Sequence, residues 1–391
     1  MIKKYHNRNI LMNLIPYLMV VFIFEPKLFV KYQILNIIYI IGIVAVFLLV
    51  ILYYIMKNIS LPKMFWILVF YRCSFLLQTI LISGDLAMWG YFSIVLIAMC
   101  LSISLYAKIN IHLILNAIIN VLTVILFLNL ITVFIFPNGI IDELYLIGIR
   151  TRFTDLIIPL IVLTLVSDRL KQKRISIKTI VIIAISVFTI FKLWIATAIL
   201  GIVVFFVFVF LFGLFKLKSK KSLFIILFVG LLLNYLVVFC DILKYFEWLI
   251  TDILNKSISL SGRTDLWVLA IDIIRENIVF GHGMLDNGNF VWWSYGGSPY
   301  QYWQAHNQWL QLMFDGGLLT TISFITLILS ANKGLNRHPS EISRIFLAGF
   351  ATFFIMMITE IYSYTPYFYL LIFFGDTISN VNNVKQNKKV V

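Results

Sequence analysis

The sequence predicts an all-α integral membrane protein of about twelve transmembrane helices, with one long extracytoplasmic loop carrying amphipathic helices. Three observations carry this. Apolar residues make up 62% of the chain and charged residues 12%, against roughly 45–50% and 25% in soluble domains. The apolar residues gather in runs of about 20, the length that crosses a bilayer as a helix. The basic residues crowd into alternate connections between those runs, as cytoplasmic loops do. A chain of this composition cannot hide its apolar surface from water in one globule, so lipid is its solvent.

In order, Lys3, Lys4 and Arg8 precede an apolar run from Ile10 to Phe24. No small-residue cleavage site follows it, so it reads as a first, uncleaved span and not a signal peptide. Runs at 34–56, 64–82, 88–107 and 111–136 are next. A polar interval, 137–152, leads to a short run at 153–168. The stretch 177–215 is too long for one helix, and Lys192 interrupts it. A tight turn at Phe191-Lys192-Leu193 divides it into two. Runs at 222–240, 316–331, 343–359 and 363–378 complete the set, and the chain reads as a single polytopic domain over 1–391.

The charges orient this layout. With the N-terminus in the cytoplasm, most of the 31 Lys and Arg residues fall in inward segments, above all 169–178, 216–221 and 333–344. The net charge of +14 is therefore topogenic, and both termini are expected in the cytoplasm. The loop 241–305 is expected outside. Its acids Asp241, Glu247, Asp252, Asp265, Asp272, Glu276 and Asp286 outnumber its bases. A nucleic-acid surface is excluded on that distribution. Cys73, Cys100 and Cys240 form neither a disulfide framework nor a zinc spacing.

Polar chemistry is concentrated from Ser261 to Leu319. Thr264 is positioned to cap a helix with Leu266, Leu269, Ala270, Ile273 and Ile274 on its apolar face. Gly281 and Gly283 end that helix. It is too polar to cross the membrane and long enough to lie on it. Arg263 sits at its start, where backbone N–H groups and a guanidinium can converge on an anion. Between Asp286 and Gln304 lie Trp292, Trp293 and Trp303 among glycines and amides. Such rings suit the C–H faces of sugars, and equally suit an interfacial aromatic belt. A second amphipathic helix begins at His306, and Gly316-Gly317 permits a sharp redirection into the next span. Within the membrane, Arg72 needs a protein partner or a wet cavity, and both structural and functional readings stand.

Four motifs in this order resemble the O-antigen ligase and polymerase (Wzy-type) family: Ser261-Gly262-Arg263, Phe280-Gly281-His282-Gly283, His306-Asn307-Gln308-Trp309-Leu310, and the glycine break at Gly316-Gly317. Arg150-Thr151-Arg152-Phe153 resembles the family's earlier arginine segment. Thr154 and Asp155 replace the glycine and asparagine expected there, so either arginine can be the match. Lys192 stands where the family often carries a basic residue. The resemblance implies a GT-C-like membrane glycosyltransferase that works on the outer face of a bacterial plasma membrane. Its donor would be an undecaprenyl-pyrophosphate-linked oligosaccharide, with no cofactor, no metal and inversion at the anomeric carbon. It assigns catalysis to His306 and Arg263 and pyrophosphate binding to Arg152, Arg150 and Lys192. Flippase and chain-length regulator proteins are the implied protein partners. Polymerisation into a surface or capsular polysaccharide is the preferred reading, with ligation to a lipid A core as the alternative. A polytopic transporter or flippase is the rival from another class; a nucleotide-hydrolysing loop is absent from the sequence.

Overall fold

The computed structural model describes residues 14–171, 174–215, 221–240, 242–248, 251–252, 262–284, 304–337 and 341–378. The regular elements among them are all helices. Leu14–Ile23 (α1) reaches Pro26, which opens the short 3-10 helix Lys27–Lys31. Gln33–Met56 (α2), Lys63–Cys73 (α3) and Leu76–Leu81 (α4) follow. Asp85 accepts from the Met88 amide at 2.7 Å and so starts Leu86–Ile109 (α5). Asn110 caps Ile111–Ile135 (α6) in the same manner. A 3-10 turn, Arg150–Arg152, leads into Phe153–Lys171 (α7). Ser176 caps Ile177–Lys192 (α8), and Ala196–Leu214 (α9) follows a three-residue turn. The remaining helices are Ser222–Phe239 (α10), Arg263–Glu276 (α11), Gln308–Ser330 (α12), Asn332–Arg337 (α13), Glu341–Met356 (α14) and Pro366–Thr377 (α15).

Among the described residues, seven helices are long and apolar enough to cross a membrane, against the about twelve expected. Three helices outside that set face protein: α7, α14 and α15 are buried along nearly their whole length, and α14 and α15 are also short. At 12 residues α15 rises only about 18 Å, less than the roughly 30 Å of a hydrocarbon core. The irregular backbone of residues 357–365 that links it to α14 is buried too, and non-helical backbone at membrane depth is tolerated where protein surrounds it. The outer helices show the opposite pattern. In α2, Ile34, Ile41, Leu49 and Ile55 are exposed, as are Val203, Phe206, Val207 and Phe210 in α9, which gives these helices lipid-facing sides.

The division expected at 191–193 is present two residues later, at 193–195. The Lys63–Leu81 stretch is broken at Ser74-Phe75, where the sequence reads as one span. The helix start at Arg263 corrects the predicted Thr264 cap. Gly262, at φ +83°, is the N-cap residue, and no side chain accepts there. Only glycine takes that conformation without strain, and it puts Arg263 in the first helical turn.

The glycine motifs form one interlocked joint. Gly316 (φ −152°, ψ 21°) and Gly317 (φ 62°, ψ −154°) break α12. The break frees backbone groups, and the 278–283 turn takes them up. His282 N donates to Phe314 O at 2.6 Å and Gly283 N to Asp315 O at 2.8 Å, while Leu318 N donates to Ile278 O at 2.8 Å. The chains approach so closely that a Cβ on Gly281 would lie 2.5 Å from Gly316 N, and one on Gly317 2.4 Å from Ile278 O. His282 adds a bond from its ring Nε2 to Ile273 O at 2.8 Å. This joint fixes α11, and with it Arg263, against the first half of α12.

Candidate active site

The site grows from the buried segment 357–363. Its backbone is held by the two residues after His306. Asn307 caps α12, accepting from Trp309 N and Leu310 N at 3.0 Å each. Its amide nitrogen donates to Ile358 O at 3.0 Å and to Asn234 Oδ1 at 2.6 Å. Gln308 N donates to Met357 O at 2.9 Å, and Gln308 Oε1 accepts from Tyr362 N at 2.7 Å and Ser363 N at 2.9 Å. Three consecutive motif residues thus have distinct jobs: Asn307 and Gln308 brace the segment, and His306 is presented beside it.

Glu360 lies on that segment, and its side chain is 2% exposed. Arg263 Nη2 reaches its Oε1 at 2.8 Å. Arg152 comes from the opposite side of the chain order. It donates through Nη1 to Ile361 O, and through Nη2 to Gln304 Oε1 at 3.0 Å. His306 stands within the electrostatic reach of Glu360, Arg263 and Arg152. Its backbone is left-handed, φ +48°, a strained conformation for a side-chain-bearing residue that clusters at functional sites. Its buried Nδ1 makes no hydrogen bond among the described residues. Burial pulls the imidazole pKa down to about 4, the two arginines add to the shift, and Glu360 opposes it. Neutral His306 is therefore the form present at ordinary pH.

The cluster consequently has two guanidiniums on separate structural supports, a neutral imidazole with a free ring nitrogen, and a buried carboxylate that holds one arginine in place. Asp155, the third residue of α7, is buried facing Arg152 and Glu360. Guanidiniums held in this way keep donors available for phosphate oxygens.

Of the sequence-predicted residues, the structure brings together Arg152, Arg263 and His306. Arg150 and Lys192 are exposed, and among the described residues no hydrogen bond or ion pair joins either to the cluster. Trp292, Trp293 and Trp303 lie outside the described residues. Arg72, within a membrane run, is held by protein through two of its three nitrogens, while its buried Nη1 makes no hydrogen bond among the described residues. Nε donates to Ser93 Oγ at 2.9 Å, Nη2 to Trp89 O at 3.0 Å, and the guanidinium lies 4.8 Å from the Phe75 ring centre. Sequence reasoning missed Glu360. The signal was available: an acid in the short gap between the apolar runs 343–359 and 363–378, in a segment the charge pattern puts outside.

Comparison with known families decides what kind of domain holds this cluster. Residues 144–325 match the O-antigen ligase family model. The matched stretch contains Arg150, Arg152, Lys192, Arg263 and His306, which agrees with the resemblance read from the motifs. No curated protein and no solved structure matches the chain. The seven long apolar helices describe a multi-pass membrane protein, and the match over 144–325 supports a role in glycan processing at the membrane. Glu360 lies beyond the matched stretch, so that stretch and the segment between α14 and α15 together make the cluster.

Proposed function

We propose that this chain is a glycosyltransferase that polymerises polyprenyl-pyrophosphate-linked oligosaccharide repeat units into a surface polysaccharide on the outer side of a bacterial plasma membrane. The observation that carries the reading is the convergence of Arg152, Arg263, His306 and Glu360 at one place. Both termini are assigned to the cytoplasm and 241–305 to the outside, following the Lys and Arg distribution.

The chemistry follows from the groups present. An acceptor sugar hydroxyl attacks the anomeric carbon of the donor. The new glycosidic bond forms as the bond from that carbon to the pyrophosphate oxygen breaks, and the electron pair leaves with the pyrophosphate. Attack opposite the leaving group inverts the anomeric configuration. Arg263 and Arg152 stabilise the negative charge that develops on departure. The hydroxyl proton goes to the free ring nitrogen of His306, which is neutral and so able to accept it. Glu360 keeps Arg263 in position and becomes a counter-charge for the imidazolium once that proton has moved. Arginines meet the leaving group's charge, so no step is assigned to a metal ion or a cofactor.

Membrane vesicles supplied with purified lipid-linked repeat units test this. His306→Ala should lose about 100-fold or more in transfer while binding donor normally, the usual scale for a positioned base. Arg263→Lys should weaken both, because an ammonium replaces the fork with a point charge. Wild-type activity should persist in a chelator. Full activity in His306→Ala, or strict dependence on a divalent ion, would contradict the mechanism.

A further inference from the structure

One outward cation is not yet accounted for. Lys27 opens the 3-10 helix after Pro26, and this helix is tied to the 137–152 loop by Leu28 N donating to Leu146 O at 3.3 Å. Gly148 sits opposite. A Cβ built there would lie 3.6 Å from Lys27 Cγ and 3.6 Å from Arg152 Cβ, so the two basic side chains flank the same glycine. The Lys27 ammonium lies 5.5 Å from the Phe92 ring centre. It feels the charges of Asp155, Arg152 and Glu25, yet among the described residues it makes no hydrogen bond and no ion pair. Burial lowers its pKa, Arg152 adds to that shift, and Asp155 and Glu25 oppose it. A semi-buried ammonium next to an arginine, with no bonded partner, is what an anion site contains before its ligand arrives.

Beside Lys27 opens an apolar groove of ≈ 290 Å³ between α1, α2 and α6. Val21, Phe24, Pro26, Phe29, Val124 and Leu146 line it. Pro26 is the neighbour of Lys27 in sequence, and Leu146 is the residue whose carbonyl anchors the 3-10 helix. Through Pro26 and Leu146 the apolar groove adjoins the segment that carries Lys27. That pairing of surfaces fits one molecule: an anionic headgroup on a hydrocarbon chain.

We propose that Lys27 is a third cation of the pyrophosphate site and that the groove beside it seats the isoprenoid chain next to the headgroup. The inference rests on the lipid-pyrophosphate donor proposed above, and it extends the site to an N-terminal segment outside the matched stretch. Lys27 then binds the phosphate nearer the lipid, while Arg152 and Arg263 face the phosphate bonded to the sugar. After transfer, the same contacts hold the released lipid pyrophosphate.

Binding of three probes to the full-length protein in nanodiscs tests it: a polyprenyl pyrophosphate without sugar, the corresponding monophosphate, and inorganic pyrophosphate. Lys27→Gln should weaken the lipid pyrophosphate about tenfold or more, the scale of a lost hydrogen bond to a charged group, and Lys27→Arg should recover most of that loss. Val124→Trp, which fills the groove from α6, should weaken both lipid probes and leave inorganic pyrophosphate unchanged. Unaltered lipid-pyrophosphate affinity in Lys27→Gln, alongside a loss in Arg263→Lys, would overturn the role of Lys27 and leave the donor assignment intact. Unaltered lipid affinity in Val124→Trp would overturn the groove, because ordinary bilayer chains would then be its occupants. A wild-type protein that binds lipid pyrophosphate no better than empty nanodiscs do would overturn the donor assignment itself.

Discussion

His306 concentrates the residue-scale argument. Its ring is placed by a left-handed backbone, braced by the two residues that follow, and kept neutral by burial and two guanidiniums. Its folded-state pKa of about 4 is below the ordinary 6.5, so folding favours the neutral form. The associated stability is fully present above about pH 6.5 and is lost as pH falls towards 4. A histidine-labelled NMR titration, assigned with His306→Ala, should show this ring unprotonated down to about pH 5. A midpoint near 6.5 would mean a wet, unshifted site. Glu360 makes a complementary demand. Deleting it with Glu360→Ala leaves the partly buried Arg263 without its partner and should cost about 3 kcal/mol in thermal or denaturant unfolding. Arginine and histidine were legible as site residues because their motifs are contiguous in sequence. Glu360 left only the signal of an acid in a short outward gap, since its importance comes from a partner 97 positions away.

At the scale of elements, the joint between the 278–283 turn and the Gly316-Gly317 break positions α11. Gly317→Ala must either adopt φ +62° with a Cβ 2.4 Å from Ile278 O or displace the turn. Stability and glycan transfer should therefore fall together, with unfolding shifted by about 2–3 kcal/mol. Gly213→Ala is the control: that glycine is helical with open space around it, and alanine there should be neutral or slightly stabilising. Unchanged transfer in Gly317→Ala would detach α11 from the site. The excess length of the 177–215 run with Lys192 inside it made one helix break readable, and the glycine pair at 316–317 the other. The Thr264 cap was misread because a positive-φ glycine can begin a helix without a side-chain acceptor, and Ser74-Phe75 carries no breaker residue to mark its interruption.

For the whole molecule, composition reveals the solvent but not the number of spans. Apolar runs signal burial from water, but cannot say whether lipid or neighbouring helices do the burying. Here α14 and α15 are enclosed by protein, and the buried segment between them supplies the carboxylate of the site. The cluster draws Lys27 from the N-terminal part, Arg152, Arg263 and His306 from the matched stretch, and Glu360 from beyond it. Such a site needs the complete bundle, which explains why no short stretch of sequence announces it in full. Its single purpose, in this account, is transfer of a glycan from a lipid pyrophosphate. The direct measurement is reconstitution of the purified chain with lipid-linked repeat units alone, followed by mass analysis of both glycan and lipid. The account predicts lipid-linked glycans lengthened by whole repeat units, with one free lipid pyrophosphate released per bond formed. Repeat units that cross the bilayer unchanged in mass, or that are consumed only when a lipid A core acceptor is added, would contradict it.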